Sequence, residues 1–188
     1  EQAEKAGLER VVAALEWANL YLTAGDPDQA RVCLQEVIEL EPERLNAWIL
    51  LAEVLMRQGD QTALESCLRN MGRLKGGSFF VLLVRAELAW KSRDWENARV
   101  YLQDALKVQP GNPKLLEQAL RLDVMQNQFD TAEKRVKELL QADPGNAFGF
   151  YVLGSLQVKK GQLGLAEDSF ACSLEVDPSP RTMNDLAW

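Results

Sequence analysis

The sequence predicts an all-α fold built from helix–turn–helix hairpins of one length, stacked in chain order. Three observations carry this. A step of 34 residues back from Pro178 meets Pro144, Pro110, Gly76 and Pro42, so one constant spacing lands on proline at four of five places. The same step joins Gly25, Gly59, Arg93, Asn127 and Gly161, mostly residues that enter the left-handed backbone region easily. Small residues recur on either side of that turn: Ala18, Ala52, Ala86 and Gly154 before it, with Leu120 the exception, and Ala30, Ala98, Ala132 and Ala166 after it, with Leu64 the exception. Facing small residues let two helix backbones approach closely, and proline, lacking an N–H, stops the second helix of each hairpin.

Taken in order, Glu1–Arg10 is helix-forming and runs into unit one, Val11–Arg44, either as the start of its first helix or as a remnant of a preceding one. Trp17, Ala18 and Tyr21 share a face there, and Asp26-Pro27 after Gly25 supplies a cap acceptor followed by a proline suited to a first turn. Unit two, Leu45–Ser78, opens regularly with Trp48, Leu51, Ala52 and Leu55. It then departs, with Leu64 at the small position, Gly72 late in the helix, and Lys75-Gly76-Gly77-Ser78 for the acidic-proline stop. That departure reads as a worn repeat that still packs or as a joint loosened by two glycines. Unit three, Phe79–Asn112, takes Ser78 and Asp94 as caps and places Trp95 where a large residue is expected, matched by Phe129 and Leu163. Unit four, Pro113–Asn146, has Asn112 and Pro113 as cap and first residue and exchanges small for large at Ala119 and Leu120. Unit five pairs Ala147–Lys160, with Phe150, Leu153 and Gly154 on one stripe, with Leu163–Glu175, whose apolar face holds Ala166, Phe170 and Leu174. Arg181–Trp188 reads as the first helix of a sixth unit, with Met183, Leu186 and Ala187 on its core side. Without an initiator methionine or signal peptide, and with a helix-forming end, the chain reads as a fragment of a longer array.

A 34-residue hairpin with this turn, small pair and closing proline resembles the tetratricopeptide (TPR) repeat over nearly the whole chain. The resemblance implies a right-handed superhelical solenoid, residues 1–188 forming one array, in which first helices line a concave binding surface. In that family the groove is lined by the second, fifth, ninth, twelfth and thirteenth residues of each unit. Carried over, unit one offers Val12, Leu15, Asn19, Leu22 and Thr23; unit two Asn46, Ile49, Glu53, Met56 and Arg57; unit three Phe80, Leu83, Glu87, Trp90 and Lys91. Unit four offers Lys114, Glu117, Arg121, Val124 and Met125, and unit five Phe148, Tyr151, Ser155, Val158 and Lys159. Large apolar side chains abound in this set, and five basic residues against three acidic ones oppose the overall charge. The expected partner is therefore a peptide or helix of another protein with apolar anchors and some carboxylates.

Two groove types of the family do not match. The carboxylate clamp for chaperone tails needs lysine where Leu15 stands, and the asparagine ladder of a sugar-transferring enzyme would fall on Glu16, Leu50, Val84, Gln118 and Val152. Asn184-Asp185-Leu186-Ala187-Trp188 is similar to a run in bacterial TPR proteins of the cell envelope, including those of exopolysaccharide export. This implies an alternative: a self-assembling envelope module, with the ends of the array pairing between copies.

Composition bounds the chemistry. The 188 residues are 47% hydrophobic, too rich in apolar side chains for a disordered chain. A net charge of −7 argues against a general nucleic-acid binder, and no apolar run is long enough for a membrane span. The absence of histidine removes the commonest general base and metal ligand. Cys33, Cys67 and Cys172 lie on second helices among apolar neighbours and read as small core residues, not as a disulfide or zinc framework. The expectation is a non-enzyme without cofactor or metal, of a compartment the sequence leaves open.

Overall fold

A computed structural model describes residues 2–178, and the side chains of residues 7–178. All regular structure among them is helical: ten helices and no strand. Two compact units divide the chain, Glu1–Arg85 and Ala86–Trp188. The first holds α1 (Gln2–Ala24), α2 (Pro27–Leu40), α3 (Leu45–Gln58) and α4 (Gln61–Met71). The second holds α6 (Trp95–Val108), α7 (Pro113–Met125), α8 (Phe129–Ala142), α9 (Ala147–Lys159) and α10 (Leu163–Val176); α5 (Gly77–Lys91) crosses the division. The expected sixth unit and its Asn184–Trp188 run lie outside the described residues.

Local chemistry explains the hairpins. At each turn one residue is left-handed: Gly25, Gly59, Gly161, and without glycine Arg93 (φ 59°) and Asn127 (φ 56°). The next N–H then reaches back to a carbonyl five residues earlier, Asp26 to Tyr21 (2.9 Å), Asp60 to Leu55 (3.1 Å), Asp94 to Ala89 (2.8 Å), Gln128 to Asp123 (2.8 Å) and Gln162 to Gln157 (2.9 Å). This satisfies a carbonyl that the helix end leaves open. The same residue begins the second helix. Asp26, Asp60 and Asp94 each accept the N–H three residues on, whereas Gln128 and Gln162 make no such side-chain bond. Asn112 and Asn146 cap first helices in the same way.

Successive hairpins are joined at a fixed offset. Arg31 on α2 donates to Gln58 on α3 (3.3 Å), Arg99 on α6 donates to Gln126 beyond α7, and Lys160 beyond α9 donates to Glu133 on α8; each pair is separated by 27 residues. Arg31 also reaches Asp60 at 2.9 Å. In the second unit the join extends inward, because Asp123, 2% exposed, accepts from Arg99 at 2.9 Å and from Arg135 on α8 at 2.6 Å.

The core of the first unit includes Val11, Ala14, Val37 and Ala47. That of the second runs through Leu116, Leu120, Val124, Ala132, Val136, Leu139, Phe148, Val152 and Leu156. The Ala119–Leu120 exchange is absorbed, with both side chains buried.

Residues from Gln2 onward are continuous with the first helix of unit one, in line with the first of the two expected readings. Other expectations need correction. Trp17 does not share the buried face of Ala18. It is 53% exposed and lies beside Tyr21, ring centroids 5.9 Å apart. The equivalent residues one repeat later, Leu51 and Leu55, are buried on α3, which packs on α2; no preceding second helix stands against α1 among the described residues. Leu163 and Leu174 are also exposed, and the buried face of α10 is Ala166, Ser169 and Ser173. The two serines are satisfied, Ser169 donating to Gln157 Oε1 and Ser173 to the Ala147 carbonyl, both at 2.8 Å. Ser78 is inside α5, not its cap. The two glycines before it answer to contact as well as freedom: Gly76 is left-handed, and a β-carbon on Gly77 would lie 1.7 Å from the Met71 carbonyl oxygen.

Candidate functional site

In the first unit the groove positions present a mixed face. Asn19 and Arg57 are exposed; Ile49, Met56, Phe80 and Leu83 are half-buried. Phe80 meets Phe79 edge-on at 5.5 Å. A cavity of about 460 Å³ lies elsewhere in this unit, between α2, α3 and α4, with Arg31, Trp48 and Cys67 in its wall and no groove position among its lining residues.

In the second unit Glu87, Lys91, Lys114 and Lys159 are exposed, and Trp90, Arg121 and Tyr151 are half-buried. Trp90 packs edge-on against Trp95 at 5.5 Å, and Tyr151 lies 5.5 Å from Phe170. Phe148 departs from the expectation. It is 5% exposed, belongs to the core between α7 and α9, and is covered by the Arg121 guanidinium 4.1 Å from its ring centre. A bulky ring next to a well-packed helix is held by the core, so Phe148 is not an open anchor.

The electrostatics also differ from a simple sum of charges. Arg57 pairs with Glu53 (2.6 Å), Lys91 with Glu87 (2.7 Å) and Arg121 with Glu117 (2.9 Å), each one helical turn apart. The four-residue spacing that makes these pairs is visible in the sequence, and it cancels three of the five groove cations. Lys159 is different. The residue one turn before it is Ser155, whose hydroxyl donates to the Tyr151 carbonyl at 3.0 Å. Its ammonium instead sits over the Phe129 ring, 3.7 Å from the centre. The neighbouring Lys160 is bound to Glu133, and this bond, followed by one from Lys137, holds the Glu133 carboxyl below the usual carboxylate range.

Lys159 stands at the rim of a cavity of about 370 Å³ lined by Val124, Asn127, Phe129, Tyr151, Val152, Ser155, Leu156 and Lys159. Val124, Val152 and Leu156 are buried and make its floor. Four of the eight, Val124, Tyr151, Ser155 and Lys159, are groove positions. Asn127 lies in the α7–α8 turn, where its backbone is left-handed, and Phe129 is the first residue of α8. A repeat-by-repeat reading of first helices omits these two, although Asn127 was visible as the turn residue.

Among the described residues, no three His, Cys, Asp or Glu side chains are placed to hold a metal ion, and no helix is long and apolar enough to cross a membrane.

Comparison with known proteins places the geometry. Residues 15–63 and 89–168 each match a tetratricopeptide repeat profile. No curated protein matches the chain by sequence. Among solved structures, MamA superposes with a TM-score of 0.66 at 17% identity over 92% of this chain and 94% of its own. Pseudomonas aeruginosa PilF does so at 0.73 and 16%, over 95% of this chain and 82% of its own. YrrB, described as having an unusual peptide-binding site, gives 0.61 and 16% over 98% and 95%. At these identities the likeness is one of fold.

Proposed function

This chain belongs to the tetratricopeptide repeat family, and from that premise we propose that it is a non-catalytic scaffold whose first helices hold a peptide or helix of another protein. Interaction between proteins is the general role of such arrays. The observation that carries the finer reading is the apolar cavity beside α9. Half of its lining residues are groove positions, and Tyr151 gives it a half-buried aromatic wall. Aromatic side chains at such edges carry a disproportionate share of binding energy. That YrrB, of the same fold, has a peptide-binding site supports the same class of ligand. The guest is read as a segment with apolar anchors and some carboxylates, meeting Asn19, Ile49, Met56 and Arg57 with Phe80 and Leu83 in the first unit, or Trp90, Lys91, Lys114, Arg121, Tyr151 and Lys159 in the second.

The test is selection of binding segments from a random-peptide display library on the folded protein, followed by affinity measurement with single variants. Tyr151→Ala is expected to weaken the selected segments by about tenfold or more, as truncation of an aromatic hot spot does. Segments that bind wild type, Tyr151→Ala and Trp90→Ala alike would remove the groove from consideration.

Self-association is a second reading, favoured by Trp17 and Leu20, both more than half exposed on α1. Apolar side chains on such a face can pair between copies. Sedimentation over a range of concentrations tests it: a mass that rises with concentration and falls back with Trp17→Lys is the expected result, and a monomer throughout excludes it.

A further inference from the structure

The cavity between α7, the α7–α8 turn and α9 contains more information about its guest than a general apolar groove. Its floor is Val124, Val152 and Leu156, and its walls are the Phe129 and Tyr151 rings, a lining suited to one aliphatic or aromatic side chain. The lysine at its rim is the sole charged residue of the lining.

The repeats themselves show why that lysine is unusual. Where a first helix ends in a basic residue at this repeat position, a glutamate one turn earlier neutralises it: Glu53 for Arg57 and Glu87 for Lys91. At α9 the glutamate position is Ser155, and its hydroxyl is turned to the Tyr151 carbonyl. The Phe129 ring fixes where the ammonium stands, but a ring face attracts a cation without cancelling its charge. A positioned cation at the mouth of an apolar pocket is complementary to a carboxylate adjoining an apolar side chain.

We propose that this pocket recognises an apolar side chain whose sequence neighbour is an aspartate or glutamate within the partner segment, the apolar group entering between Phe129 and Tyr151 and the side-chain carboxylate pairing with Lys159. The inference rests on the groove reading above and adds to it the chemistry of one subsite. Asn127 at the same rim offers an amide that can both donate to and accept from the guest's backbone.

The test uses display-selected segments, resynthesised with amidated C termini so that any carboxylate comes from a side chain. The proposal expects an acidic residue beside an apolar one in the segments that lose affinity in Tyr151→Ala. Replacing that acid by its amide costs wild type about three- to fivefold, the range of a partly exposed ion pair, with a smaller loss at high salt. In Lys159→Gln the acid and amide forms bind alike. Ser155→Glu, which places a carboxylate one turn before Lys159 as at Arg57 and Lys91, is also expected to abolish the preference. Segments that bind through Tyr151 but show no acid preference, keep it in Lys159→Gln, or need a free C terminus overturn the proposal and leave the groove reading standing. Segments indifferent to Tyr151 overturn both.

Discussion

Phe170 on α10 fills the space that a side chain at Gly154 on α9 would need: a β-carbon on residue 154 would stand 2.7 Å from Phe170 Cε1 and 2.9 Å from Cδ1. Gly154 is the small position of the unit-five first helix, and Tyr151, with its ring centre 5.5 Å from that of Phe170, limits how far the Phe170 ring can retreat. Alanine at 154 would gain about 1 kcal/mol of helix propensity. Overpacking against a confined ring costs about 1–3 kcal/mol. Gly154→Ala is therefore expected to lower stability in urea titration, and the added substitution Phe170→Leu to restore part of the loss.

Asp123 is the one charged residue buried among the described residues of the second unit. Buried at 2% exposure, it serves the guanidiniums of Arg99 and Arg135, themselves largely covered. Removing one member of a buried ionic cluster leaves the others without compensation, typically at about 3–5 kcal/mol. Asp123→Ala is expected to fall in that range. Glu53→Gln, which breaks the exposed pair with Arg57, is expected to cost about 0.5 kcal/mol or less. Similar losses for the two variants in denaturant titration would show that the cluster is not coupled to folding.

Acid should weaken the fold through identifiable groups. The Asp60 carboxyl is held below its ordinary value by the Ala63 N–H and by Arg31, Asp94 by Asn97 through side chain and backbone, and Glu133 by Lys160 and then Lys137. A depressed folded-state pKa contributes stability above the unfolded-state value, and the contribution is lost as pH falls through the lower folded one. Stability set by these groups is expected to be flat from neutrality to about pH 5 and to decline below about pH 4. Asp94→Asn keeps a capping side chain but removes the titrating proton, so it should make the acid limb shallower with little change at neutral pH. Urea midpoints across the pH series measure both effects.

The cysteines should separate by reactivity. Burial pushes the Cys67 thiol up to about 11, and its Sγ lies 3.4 Å from the Trp48 carbonyl oxygen. Cys33 is raised as well, first by burial and then by Glu36, but like Cys172 it is only half-buried. Since thiolate is the reacting form, alkylation near pH 8 is expected at Cys33 and Cys172 well before Cys67, with Cys67 reacting once denaturant is added. Peptide mass mapping over time gives the order.

The hairpins were legible in the sequence because their signals act over a few residues. A left-handed residue, a cap acceptor and a closing proline each work on the nearest backbone groups, so the repeat step located every turn from Gly25 to Gly161, including those where Arg93 and Asn127 do glycine's work. Tertiary structure decided which flank of each helix is covered, since burial depends on a neighbour that no local pattern contains. Trp17 and Leu51 hold the same repeat position, yet only Leu51, on a helix packed against α2, is buried. Phe148 matched a groove position but was claimed by the core beneath Arg121. The pocket at Lys159 draws its walls from α7, the turn at Asn127, the start of α8 and α9, and that convergence exists only once these have packed together.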